Sequence, residues 1–151
     1  MATVRAQQDV TGPAGAVEAL WYDTDRWPAF VDGFGHVSKL EGPWPQAGAK
    51  IVWDSTPNGR GRVVEQVVDL VPGKGQTSAV EDPRLTGTQR VVFERLDGGV
   101  AVGLELEYTL KGASVVQPLV DLFFIRRALR DSMRRTLLRF SRELAADLEL
   151  R

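Results

Sequence analysis

The sequence predicts an α+β fold: one antiparallel sheet of about seven strands, two short helices after the first strand, and one long helix at the end. Three observations carry this. Alternating or β-branched apolar stretches recur seven times along the chain. The last six of them are joined only by short, turn-rich links, which pairs neighbours antiparallel. An apolar stripe at spacings of three and four then runs through the C-terminal segment, at the period of a helix and not of a strand.

The elements follow in order. TVRAQQDV, residues 3–10, alternates and reads as the first strand. TGPAG at 11–15 opens a helix, with Thr11 or Gly12 as cap and Pro13 in the first turn. Val17, Leu20 and Trp21 share one face of it, and Asp23, Thr24 and Asp25 stop it. Trp27 precedes Pro28 and is therefore expected in extended backbone. Pro28 opens a second short helix through Ala29, Phe30 and Val31, ended by Gly33 and Gly35. Strands are expected at 36–42, 49–55, 62–71, 75–82, 88–96 and 100–110. The links GPWPQAG, TPNGRG, PGKG, PRLTG and DGG between them are turn material. In the last strand Val100, Val102, Leu104, Leu106, Tyr108 and Leu110 face one way, and Glu105, Glu107 and Lys111 the other. The final stripe is Leu122, Ile125, Leu129, Met133, Leu137, Phe140, Leu144 and Leu148. It needs a large apolar partner, and the sheet is the one available.

Composition narrows the function. A chain of 151 residues, 43% hydrophobic and 26% charged, suits one domain, residues 1–151, with a sizeable core. A net charge of −1 argues against a specific nucleic-acid partner. The lack of cysteine excludes disulfides, thiolate chemistry and sulfur-ligated zinc, and favours the cytoplasm. The start MATVRAQQDV has no apolar signal core, and VVQPLVDLFFI is too short and too polar for a transmembrane segment.

No residue set declares a catalytic centre, a metal site or a cofactor. His36 is the single histidine, sits after Gly35 and has no acidic pair beside it, so it is read as solvated. Ser55, Ser78, Ser114 and Ser141 lie in no nucleophile elbow. PGKG lacks the spacing of a phosphate loop. Glu105 and Glu107 share the outer strand face, and Glu81 with Asp82 reads as a turn. Arg126, Arg127, Arg130, Arg134, Arg135, Arg139 and Arg142 fall mostly off the apolar stripe. They read as a solvated outer face, with an anionic partner as the other reading.

The element order and several segments resemble the SRPBCC superfamily, which includes START-like lipid-transfer domains, polyketide cyclases and the birch-pollen-allergen fold. The segments are VEALWYDTDRWPAF, VVDLVPGKG, LTGTQRVVFERLDGG, LELEYTLKG and the Arg-rich RRALRDSMRRTLLRF. The nearest likeness is to the polyketide cyclase/dehydrase and lipid-transport-like family, over nearly the whole chain. The resemblance implies a helix-grip fold, in which the curved sheet wraps around the long helix with a cavity between them. It also implies a small hydrophobic ligand, a lipid or polyketide-like molecule, held in that cavity. The alternatives are a cyclase/dehydrase-like enzyme, and a non-catalytic interaction domain using the Arg-rich helix.

Under that resemblance DTDRWPAF is a corner beside the mouth. Trp27 and Phe30 anchor it, by core packing or by ligand contact, and Phe34 lies past it with less of the core to carry. Trp53, Phe93, Tyr108, Met133 and Leu137 are the candidates for the cavity. The sequence names neither the ligand nor the oligomeric state.

Overall fold

The computed structural model describes residues 1–112 and 118–150, with side chains from 123 onward in the second segment. Leu122 and Ser114 lie outside the described side chains. The element order is β1 (Ala2–Thr11), α1 (Ala14–Tyr22), a 3-10 turn (Thr24–Arg26) and α2 (Trp27–Phe30). Then come β2 (Phe34–Glu41), β3 (Lys50–Ser55), β4 (Arg62–Val71), β5 (Gly75–Glu81), β6 (Leu85–Leu96), β7 (Gly99–Leu110) and α3 (Pro118–Glu149).

The seven strands form one sheet in the order β1-β7-β6-β5-β4-β3-β2, with every neighbouring pair antiparallel. β1 and β2 are consecutive in the chain yet lie at opposite edges. The link between them therefore crosses the sheet, and it carries α1 and α2. Period-two alternation sorts each strand into a face against α1, α2 and α3 and a face toward solvent. On β7, Val100, Val102, Leu104, Leu106 and Tyr108 are buried, as their spacing predicts. Glu105 and Glu107 sit on the other face and pair there with Arg5 and Arg90.

The main core joins the sheet to the helices. Phe30 and Phe140 meet edge to face at 5.1 Å, and Trp21 packs on both at 5.6 and 5.2 Å. A second cluster, Val4, Val80, Leu85, Leu106 and Tyr108, fills the other end of the face. Along α3, Leu137, Phe140 and Leu144 are fully covered, whereas Ile125, Leu129, Met133 and Leu148 are half-buried. The stripe is thus sealed from Leu137 to Leu144 and looser on either side.

Four local expectations change. Pro13 is the cap of α1 and not a residue of its first turn. Trp27 is helical, at φ −56° and ψ −36°, although it precedes a proline. Its buried indole donates to the Trp21 carbonyl at 2.9 Å, and that tertiary anchor overrides the local preference. Gly35 does not end a helix but lies inside β2, at a register shift between Phe34 and His36. A Cβ there would run into the Asp54 carbonyl, so the strand needs glycine at that approach. Last, the PRLTG segment is only partly a turn. Leu85 to Gly87 pair with Leu110 to Tyr108, and β6 starts at Leu85, which is buried.

Leu137 is 1% exposed, the first residue of the sealed stretch. Leu137→Ala is expected to cost about 2–5 kcal/mol in denaturant unfolding, from lost burial and the void left behind. A loss below about 1 kcal/mol would show that the site collapses around the smaller side chain.

Candidate functional site

A single helix does not cover the whole inner face, and a cavity of about 100 Å³ remains between the middle of the sheet and α3. Its wall is apolar on one side: Trp21, Trp27, Val31, Trp53, Val91, Leu104, Leu106, Leu129 and Met133. Its floor is polar. Glu65 on β4, Gln76 and Ser78 on β5 and Gln89 on β6 take inward positions that their strands otherwise give to valine, phenylalanine or leucine. Arg60 enters from the turn before β4, and Asp32, Ser132 and Thr136 form the rim beside α3.

Glu65 is the chemical centre. It is 5% exposed. Trp53 Nε1–H donates to Oε2 at 2.6 Å, and Gln89 Nε2–H donates to Oε1 at 3.2 Å. Burial pushes the carboxyl above the ordinary glutamate range, while the hydrogen bonds from Trp53 and Gln89 and the charge of Arg60 hold the rise back. Arg60 is itself fixed. Its Nε donates to buried Asp82 at 2.8 Å, and Asp82 also accepts the backbone N–H groups of Arg84 and Leu85. Arg60 Nη2 is buried and has no hydrogen-bond partner.

The rim is an electrostatic clamp. Asp32, just after α2, accepts from Ser132 at 2.8 Å, from Arg135 at 3.0 Å and from Arg139 at 3.0 Å. Its N–H donates to Thr136 Oγ1 at 2.9 Å. Partial burial disfavours the Asp32 anion, but the Arg135 and Ser132 hydrogen bonds outweigh it and hold the carboxyl below the usual range. Arg26, at the other end of the same segment, pairs with Glu143 and Asp147. The segment crossing the mouth is thus tied to α3 at both ends. Two of the seven arginines, Arg135 and Arg139, belong to this clamp and not to a purely solvated face.

Of the residues singled out from sequence, Trp27, Trp53 and Met133 line the cavity. Phe30, Phe93, Tyr108 and Leu137 pack in the core around it. Phe34 carries more of the core than its place past the corner suggests. It is buried between Trp27 and Trp53, with ring centroids 6.0 and 5.2 Å away. His36 is exposed on β2 beside Asp54, at 3.3 Å, and is not among the residues lining the cavity. Among the described residues no three histidine, aspartate or glutamate side chains converge as a metal site. Glu65, Arg60, Ser78, Gln76 and Gln89 were not chosen by motif. For all but Arg60, which lies in a turn, the signal is parity: Glu65 stands between Val63 and Val67, where alternation demands an inward side chain.

Comparison with known proteins adds a family. The model described as polyketide cyclase / dehydrase and lipid transport matches residues 1–145. No curated protein sequence matches the chain. Among solved structures, the chain resembles the di-domain ARO/CYC StfQ from the steffimycin biosynthetic pathway. The TM-score is 0.75 at 19% identity, over 97% of this chain and 51% of that one, so the chain spans about half of that protein. It also resembles the polyketide-cyclase-like protein Cgl2372 from Corynebacterium glutamicum, with TM-score 0.68, 20% identity and 97% and 93% of the two chains covered. Ara h 8.0201 superposes with TM-score 0.72 at 11% identity, covering 96% and 98%. At these identities the likeness is one of fold, and the fold is the helix grip.

The raised Glu65 carboxyl has a pH signature. The native state keeps a proton that the unfolded chain has already released, so stability from this group is greatest at low pH. It is lost as pH rises from the ordinary carboxylate range through the raised value. Glutamine does not ionise. The stability of Glu65→Gln relative to the parent is therefore expected to climb as pH rises above the ordinary glutamate value of about 4.3. Unfolding midpoints of the two proteins across that rise measure it. A constant difference would mean that Glu65 titrates alike in both states.

Proposed function

The chain belongs to the polyketide cyclase / dehydrase and lipid transport family, and on that premise we propose that it binds a small, largely apolar molecule between the sheet and α3. The observation that carries this is the cavity itself, walled by three tryptophans and aliphatic side chains and closed by a segment whose two ends are tied to α3 by ion pairs. Such a wall suits an aromatic or lipid-like body, and the polar floor suits one polar end. At about 100 Å³ the closed cavity holds a small ring and no more, so a larger guest needs the 24–33 segment to lift from α3.

Binding is preferred over catalysis for a specific reason. A proton-transfer reaction wants paired groups with shifted pKa values converging on one point. Here Glu65 alone is raised inside the cavity, and Asp32 is held ionised at the rim by α3. A cyclase/dehydrase-like reaction is the second reading, and Glu65 is the residue it would use as acid or base. The interaction reading loses two of its arginines to the clamp. We place the protein, as a single 1–151 domain, in the cytoplasm. Among the described residues no helix is long and apolar enough to cross a membrane.

Native mass spectrometry of the protein from its own host is expected to show a co-purified apolar molecule. In vitro, the uncharged probe N-phenyl-1-naphthylamine is expected to quench tryptophan fluorescence, because three indoles line the wall. Met133→Trp fills that space and is expected to weaken the probe at least about tenfold, a loss of about 1.4 kcal/mol. Unchanged affinity in a folded Met133→Trp protein would place the probe on the surface. Bound probe is also expected to slow amide exchange across residues 29–37 selectively, since the mouth segment must close over it. Exchange that is equally slow with and without probe would move the entrance to the opposite rim, near residues 56–61.

A further inference from the structure

We infer that Glu65 and Arg60 form a paired acceptor–donor subsite that selects an uncharged ligand in which a hydrogen-bond donor lies directly beside an acceptor, as on the edge of a cyclic amide. The inference rests on the binding reading above and specifies its ligand.

Three observations lead to it. First, Glu65 is buried in the cavity floor, and each carboxylate oxygen receives one donor, from Trp53 and from Gln89. A carboxylate has about four acceptor positions, so acceptor capacity is left on a group that lines the cavity. Second, Arg60 lines the same cavity, and its Nη2 is a buried donor with nothing to donate to. Leaving such a group unpaired is costly, and an occupant that supplies an oxygen removes the cost. Third, neither group is free to swing away. Trp53 and Gln89 orient Glu65, and Asp82 holds Arg60 by Nε with its own second oxygen fixed by two backbone N–H groups.

The signs of the charges then choose the ligand. Both side chains line the one cavity, and the positive charge of Arg60 favours the Glu65 carboxylate. An anionic ligand satisfies Arg60 but shares the cavity with the Glu65 carboxylate. A cationic ligand has the reverse problem. A ligand with an acceptor alone leaves Glu65 unanswered, and one with a donor alone leaves Arg60 unanswered. A neutral N–H beside a C=O answers both: the N–H donates to Glu65 and the carbonyl accepts from Arg60 Nη2. The flat apolar body behind such an edge meets Trp27, Trp53 and Met133.

The test uses four bicyclic probes of nearly equal size, titrated calorimetrically into the intact protein. Naphthalene and methylnaphthalene read the apolar cavity and the room for a methyl group. Isoquinolone carries the donor–acceptor edge, and N-methylisoquinolone keeps the acceptor and loses the donor. Isoquinolone is expected to bind at least about tenfold more tightly than N-methylisoquinolone, while methylnaphthalene binds about as well as naphthalene. Glu65→Leu is expected to erase the preference between the two heterocycles. The inference is overturned if wild-type protein binds both heterocycles equally, or if the preference survives in Glu65→Leu. Equal discrimination against methylnaphthalene also overturns it, because sterics then explain the ratio. Binding of the hydrocarbons with no preference among heterocycles leaves the cavity reading standing. If none of the four binds, the cavity reading falls and the subsite with it. Should Glu65→Leu fail to fold, the four wild-type affinities decide alone.

Discussion

One helix has to cover the inner face of a seven-stranded sheet, and the rest of the molecule follows from that mismatch. At about 4.8 Å per strand the flat sheet is roughly 29 Å wide, whereas a helix with its side chains is about 10–12 Å across. α3 alone cannot cover such a face. The sheet curves around the helix, and the β1–β2 connection is recruited as a second cover because those strands lie at opposite edges. Trp21, Phe30 and Phe140 knit that cover to α3. What neither cover reaches is the cavity.

The uncovered patch is also where the apolar rule of the face is broken. Glu65, Gln76, Ser78 and Gln89 sit inward on three adjacent strands, in a region that a purely structural sequence would fill with valine or leucine. Buried polar groups of this kind lower stability unless partnered, and here the partnering is deliberate but incomplete. Trp53 shows the economy of the arrangement. Its ring is part of the apolar wall and packs on Phe34, and its N–H fixes the Glu65 carboxylate. Removing the ring would therefore disturb wall and floor together, whereas Phe30 or Leu137 serve packing only.

The fold was legible in the sequence because it rests on periodicity. Alternation on β7 and the three-four stripe on α3 are long and unambiguous, and short links left antiparallel pairing as the plain outcome. Errors fell where tertiary contacts beat local rules, at Trp27 before its proline and at Leu85 in a segment that looks like a turn. The site was less legible. Trp27, Trp53 and Met133 are large and apolar, and so were easy to nominate, but size alone does not distinguish a wall residue such as Trp53 from a core residue such as Phe93. Glu65 carried the stronger signal. A carboxylate in phase with Val63 and Val67 contradicts its own strand, and reading parity residue by residue along β4 finds it. Arg60 could not be found that way, since its role depends on Asp82, a partner 22 residues away across a turn.

The clamp across the mouth has a further property, visible in the order of charges along α3. Arg135, Arg139, Glu143 and Asp147 fall at intervals of four, so they form one row, two cations followed by two anions. The crossing segment presents the complementary order in the opposite direction, Arg26 against the anions and Asp32 against the cations. Such a row is an axial ruler. Sliding α3 by two turns, about 11 Å, would bring Asp32 onto Glu143 and Asp147, like against like. The helix therefore has one electrostatically allowed position along its own axis. Leu129 and Met133 ride on that helix as the roof of the cavity, so the length of the cavity is set by a row of four charged helix residues, none of which lines its wall.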